Sequence, residues 1–140
     1  MDGWPERVFC DTSFFFASLE RKDVHHAQAL RWTQRSARAG TAFWCTWDVV
    51  GETVTLLRRK AGYRETAGFL QRVLPGLHLV PCDDSMREET AEVFLRLGRD
   101  KKLSWCDCMS FVAVTAVLDR IPTATFDAHF KSMGLPVLTD

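Results

Sequence analysis

The sequence predicts an α/β fold, with a mostly parallel sheet carrying helices on both faces. Three observations lead there. Short strand-like runs alternate with helical stretches along the whole chain, and that alternation builds parallel sheets. The strand-like runs are apolar at most positions instead of every second one, as strands buried on both faces are. No repeat, low-complexity tract or linker interrupts the 140 residues. Residues 1–140 therefore read as a single domain, long enough for a real core.

The elements follow in order. Arg7 to Cys10 forms a first strand ending at Asp11, and Thr12 and Ser13 are good N-cap types for a helix through Leu19. Asp23 is placed to cap a second helix through about Ala39, which Gly40 ends. Ala42 to Thr46 is a second buried strand. A helix from about Asp48 to Lys60 comes next, and another starts at Gly62 and ends before Pro75-Gly76. Leu77 to Val80 is the third strand. Ser85-Met86-Arg87-Glu88 matches a capping box and opens a helix to about Leu97. After a polar loop, residues 98–103, comes the apolar helix Trp105 to Leu118. Ile121 to Phe126 is the fourth strand, Asp127 to Ser132 a short helix, and Pro136 to Leu138 a candidate fifth strand.

Composition narrows the class of protein. Hydrophobic residues make up 46%, including ten Phe and five Trp, which excludes a disordered chain. Formal net charge is zero, so any polyanionic partner must be met by local patches. The five cysteines are odd in number and match neither a disulfide framework nor a zinc pattern, so they read as buried small hydrophobes in a cytoplasmic protein. The N-terminal Met-Asp-Gly-Trp-Pro-Glu-Arg lacks a signal pattern, and no apolar run is long enough to span a bilayer.

Four acids carry the chemistry. From Trp105 to Leu118 the only charged side chain is Asp107, and a carboxylate in a buried helix is expensive to desolvate unless something pairs with it. Asp11 follows the first strand and Asp127 the fourth, so both lie at the strand-end edge where open parallel sheets form sites. Each also has a local explanation as a helix cap, and Ser104 to Asp107 is itself a capping-box match. Glu52 aligns with Val49 and Leu56, near the apolar stripe of its helix, and has no basic residue three or four positions away. Clustered carboxylates repel unless protonated or bridged by a cation, and oxygen-only ligands select Mg²⁺ or Mn²⁺. His129, two residues past Asp127, reads as a surface or supporting residue instead of a ligand. The chemistry expected is hydrolysis of a phosphodiester through a Mg²⁺- or Mn²⁺-bound water.

Asp-Thr-Ser near the N-terminus, a helical Glu some forty residues on, Ser-Trp-Cys-Asp-Cys-x-Ser-Phe and Thr-Phe-Asp-x-His-Phe together resemble the PIN domain, and most of all the toxin ribonucleases of the VapC type. The resemblance covers essentially the whole chain. It implies a three-layer α/β/α sandwich with a central, mostly parallel four- or five-stranded sheet, and Mg²⁺- or Mn²⁺-dependent endoribonuclease activity. By motif position, Asp11, Glu52, Asp107 and Asp127 correspond to the family's acidic quartet, Ser13 to the hydroxyl that supports the first Asp, and Thr125 to the stretch before the last. The resemblance further implies an RNA substrate, a small antitoxin partner of a type II toxin–antitoxin pair, and a homodimer. Alternatives are a PIN-like nuclease of RNA processing outside such pairs and a non-catalytic PIN-fold interaction module.

RNA contact requires cations near the acids. Arg58, Arg59, Lys60, Arg64 and Arg72 cluster after Glu52, and Arg99, Lys101 and Lys102 precede the Asp107 helix. Of these, Arg58, Arg59, Lys60, Arg64, Lys101 and Lys102 are the foremost candidates, although solvated helix faces have the same appearance. Trp4, Trp44 and Trp47 could stack on bases, with core packing the simpler role. A haloacid-dehalogenase-like phosphatase would require Asp at position 13, where this chain has Ser13.

Overall fold

The computed structural model describes residues 3–140, so the first two residues of the N-terminal stretch read for a leader lie outside it. Strands β1 (Arg7–Cys10), β2 (Ala42–Cys45), β3 (His78–Leu79) and β4 (Thr123–Ala124) form one sheet in the order β3-β2-β1-β4. Every pairing is parallel: Val8 lies opposite Phe43, Cys10 opposite Ala124 and Cys45 opposite Leu79. Val8, Phe9 and Cys10 are consecutive and all fully buried. Because successive side chains point to opposite faces, β1 must be covered on both sides. The result is the expected α/β/α sandwich.

The order of the strands fixes where a site can form. From β1 the chain steps outward through β2 to β3, then returns to the other side of β1 as β4. The direction of winding therefore reverses between β1 and β4. In parallel α/β sheets the crevice outside the strand carboxyl ends at such a reversal is the place where ligands bind. Asp11 leaves β1 there, and residues 125–127 leave β4 there.

Helices α1 (Thr12–Leu19), α2 (His26–Ala39), α3 (Trp47–Lys60) and α4 (Tyr63–Gly68) occupy the first half of the chain. Helices α5 (Asp84–Leu97), α6 (Trp105–Val112) and α7 (Ala128–Ser132) occupy the second. Aromatic packing locks α1 in place: Phe14 meets Trp32 and Phe43, and Phe15 meets Phe69 at 5.2 Å between ring centroids. No helix among the described residues is long and apolar enough to cross a membrane.

Several boundaries differ from the sequence reading, each for a local reason. Asp11, not Thr12 or Ser13, caps α1, because it is the last extended residue and its side chain accepts the Ser13 N–H. The second helix starts at His26 and not at Asp23, since the Asp23 carboxylate takes the His25 N–H and closes a turn first. The helix from Gly62 is not continuous: after α4 the chain forms a π turn over Phe69–Val73 and a 3₁₀ turn over Leu74–Gly76 at Pro75. Asp83 replaces the expected Ser85 box as the cap of α5, accepting from Met86 N at 2.9 Å. The apolar helix is α-helical only to Val112, then widens into a π turn over Ala113–Val117 ahead of the left-handed pair Asp119 and Arg120. Pro136 to Leu138 makes one bridge, Thr123 to Val137, in place of a fifth strand. Finally β4 is two residues long, because Thr125 and Phe126 leave the sheet to make other bonds.

The α5 cap separates the two readings by experiment. Asp83→Ala should lower stability by about 1 kcal/mol and Ser85→Ala should leave it within roughly 0.5 kcal/mol, measured by urea unfolding. The reverse order would restore Ser85 as the cap.

Candidate active site

Asp11 is buried where β1 turns into α1. Its Oδ2 accepts three hydrogen bonds: from Ser13 Oγ at 2.7 Å, from Thr125 Oγ1 at 2.9 Å and from Ser13 N at 3.3 Å. The hydroxyls in turn accept backbone N–H groups, Ser13 Oγ from Phe126 at 2.9 Å and Thr125 Oγ1 from Asp127 at 3.0 Å. A hydroxyl has one proton to give. With both protons directed at the carboxylate, the 3.2 Å approach of the two hydroxyls is a contact and not a further hydrogen bond. This knot ties the end of β1 to the end of β4. Oδ1 of Asp11 takes no hydrogen bond among the described residues. Burial pushes the Asp11 carboxyl up to about 6, against the lowering effect of its Ser13 and Thr125 bonds and with a smaller upward push from the charge of Asp127.

Asp107 and Asp127 converge with His129, each acid fixed by a cap, while Asp11 and Glu52 stand outside that close group. Ser104 and Asp107 complete the capping box of α6: Asp107 Oδ2 accepts from Ser104 N at 3.0 Å and Ser104 Oγ accepts from Asp107 N at 3.0 Å. Asp127 is the N-cap of α7 and accepts from His129 N at 2.9 Å. One ligand atom each from Asp107, Asp127 and His129 lies within 4.8 Å of the others. His129 Nδ1 stands 3.4 Å from Asp127 Oδ1 and 3.6 Å from Asp107 Oδ2. That nitrogen is buried with no hydrogen-bond partner. The sequence reading of His129 as a surface or supporting residue leaves room for this position, beside both carboxylates. The available signal was its place in the first turn of a helix capped by a site acid.

Glu52 sits differently from expectation. The buried face of α3 is Val49, Val50, Thr53 and Leu57, and Glu52 is exposed on the flank of that face. Asp48, one turn earlier, shares the flank. Both remain within electrostatic reach of the centre. Burial raises the Cys106 thiol well above its usual value, and the charges of Glu52, Asp11, Asp107 and Asp48 then add to the rise, in that order. Cys106 thus feels the charge of four acids, Asp48 among them.

The cations divide. Lys60 and Arg64 line one groove. Arg58 lies over the Tyr63 ring at 5.9 Å, Arg59 is exposed, and Lys101 and Lys102 sit in the loop before α6. Trp4 is buried and Trp44 stacks on His78, as core packing predicts. Trp47 is 59% exposed and Trp105 is 43% exposed, and each is the first residue of a helix that starts at the acidic edge. Trp105 went unnoticed in the sequence because its neighbours are apolar.

Two stability measurements test this geometry. A carboxyl raised from 3.8 to about 6 stabilises the fold fully below its unfolded value, and the contribution disappears as pH rises through about 6. In EDTA, the stability of the native chain relative to Asp11→Asn should therefore fall by roughly 3 kcal/mol from pH 3.5 to pH 7.5. Parallel curves would show that Asp11 titrates normally. At Asp107, Asn keeps an acceptor for the Ser104 N–H and Ala does not. Unfolding in EDTA should show Asp107→Ala losing about 1 kcal/mol more than Asp107→Asn.

The comparisons with known proteins agree with this architecture. The PIN domain family profile matches residues 8–135. The VapC ribonuclease of Archaeoglobus fulgidus is 26% identical over 125 residues, covering 86% of this chain and 77% of the relative. The crystal structure of VapC20 of Mycobacterium tuberculosis, a sarcin–ricin loop cleaving toxin, superposes with a TM-score of 0.80 at 24% identity, covering 95% of this chain and 99% of that one. With the family match running from β1 to beyond α7 and taking in Asp11, Glu52, Asp107 and Asp127, the chain belongs to the PIN domain family.

Proposed function

We propose that this protein is a divalent-metal-dependent endoribonuclease, the toxin of a type II toxin–antitoxin pair, acting in the cytoplasm and silenced by a small antitoxin protein. The observation that carries the reading is the cluster of Asp107, Asp127 and His129, tied to the buried Asp11 through the Thr125 hydroxyl, at the reversal of strand order. The A. fulgidus relative is a ribonuclease and the M. tuberculosis neighbour cleaves the sarcin–ricin loop, which makes RNA the substrate to try first.

The residues fit a divalent cation. A buried Asp11 carboxylate with one oxygen fully bonded and the other free stands next to two acids clustered with an imidazole nitrogen that makes no hydrogen bond, and a cation would balance their charge. When bound, the ion neutralises phosphate oxygens and makes water acidic enough to attack phosphorus near neutral pH.

The chain's own residues do the rest. Ser13 and Thr125 hold Asp11 through Oδ2, so Oδ1 is the oxygen left to ligate. The capping box fixes the Asp107 carboxylate, and the α7 cap fixes that of Asp127. Glu52 and Asp48 occupy the rim, suited to completing the ligand set or ordering water. The exposed rings of Trp47 and Trp105 offer faces for unstacked bases. His129 adds nitrogen to an otherwise all-oxygen set, which favours Mn²⁺ relative to Mg²⁺.

The deciding experiment is incubation of the purified protein with cellular RNA in Mg²⁺ or Mn²⁺, with cleavage sites mapped. EDTA should stop cleavage, and Asp11→Asn or Asp107→Asn, still folded by circular dichroism, should each slow it by about 100-fold or more. Cleavage that survives chelation or both substitutions sinks the metal mechanism. A wild type that binds metal but leaves all RNA intact would favour the interaction-module reading. His129→Ala should reduce the thermal stabilisation given by Mn²⁺ more than that given by Mg²⁺, and equal losses would remove the nitrogen from the donor set.

A further inference from the structure

We propose that the groove between the C-terminal ends of α1 and α3 holds the phosphate backbone of the RNA strand whose scissile bond reaches the acids. The proposal rests on the ribonuclease reading above and assigns the strand's path.

The groove encloses about 500 Å³. Five cations from separate stretches of chain line it: Arg21 and Lys22 after α1, Lys60 at the end of α3, Arg64 in α4 and Arg72 in the π turn beyond. Glu20 and Glu65 also line it, yet none of the five cations forms an ion pair among the described residues. Glu20 instead accepts the backbone N–H of Lys22 at 3.0 Å. In a chain of zero net charge, five cations against two carboxylates in one cleft are a local positive excess that favours an anion.

Helix-end electrostatics does not account for the cluster. It suits Lys60 at a C-terminus, but Arg64 stands in the first turn of α4, where the dipole disfavours a cation. The Arg72 guanidinium lies back against α4 at Gly68, where a Cβ would come 2.6 Å from its Nη2.

Two helices lead from the acidic edge of the sheet to the groove. Helix α1 starts at Asp11 and ends at Leu19 on the groove wall. Helix α3 starts at the same sheet edge, carries Asp48 and Glu52, and ends at Lys60. The eight residues of α1 span roughly 12 Å and the fourteen of α3 roughly 21 Å, the rise of about four to six stacked nucleotides. An RNA backbone suits this lining better than a protein segment. Apart from Leu19 and Ala61 the walls carry no apolar anchor of the kind protein interfaces centre on, whereas phosphates need only spaced cations.

Binding of a fluorescein-labelled twelve-nucleotide single-stranded RNA, in EDTA so that nothing is cut, tests the path. Arg64→Gln/Arg72→Gln should weaken binding roughly ten- to thirty-fold at 0.1 M salt and lower the slope of log K against log salt by about 1.4. Arg38→Gln/Arg96→Gln, which removes the same charge from exposed helix positions outside the groove, should change both far less. Lys60→Gln/Arg64→Gln replaces the first variant if thermal melts show it unfolded. Equal effects of groove and control variants overturn the proposal and leave the ribonuclease reading intact, since wild type would still bind and cleave. Wild type that neither binds nor cleaves RNA overturns both. A glutamate-rich peptide that outcompetes the RNA for the groove assigns it to a protein partner and also overturns the proposal.

Discussion

The site depends on one oxygen atom, Oδ2 of Asp11. Two hydroxyls and a backbone N–H converge on it, and the hydroxyls are held by the N–H groups of Phe126 and Asp127. Through that atom the end of β1 fixes the chain leaving β4, and hence the placement of Asp127 and of α7 behind it. The bonds do not offset the loss of water: burial dominates and the carboxyl is held near 6. The knot therefore positions a charge that the metal-free fold tolerates poorly, an arrangement suited to a site that completes itself on binding a cation.

Capping and site-building are the same act here. Asp11, Asp107 and Asp127 each satisfy the first turn of a helix with one carboxylate oxygen or one lone pair, and a carboxylate has capacity to spare. Because the caps lie where chain leaves the sheet edge, acids explained separately by local bonding end up linked, Asp107 and Asp127 in one cluster and Asp11 tied to it through Thr125. Helix α3 departs from the scheme. Thr46 supplies its cap, so its acids lie further along the helix and stay at the exposed rim.

Much of this was legible in the sequence. The parallel sheet, the placement of Asp11 and Asp127 at strand ends and the first-turn position of Asp107 follow from residue pattern alone. What escaped it came from competition between nearby groups that spacing cannot rank. Asp23, Asp83 and Ser85 are all good caps by type, and only the direction of the entering chain decides among them. The length of β4 was overestimated because Thr125 and Phe126 look like strand, while their hydrogen bonds are spent on Ser13, Asp11 and Asp127. His129 and Asp48 gain their positions from tertiary packing. Arg21 and Lys22 lie 39 and 38 residues from Lys60, so no window on the sequence could join them.

The zero net charge of the chain hides an uneven distribution. Acids gather at one end of the α1–α3 pair and unpaired cations at the other. The α1–α3 pair is therefore polarised while the chain is neutral, and a polyanion approaching that face feels a torque before it feels a net pull. Its encounter with such a partner should be governed by orientation, with ionic strength acting on the rate of productive approach even where the monopole vanishes.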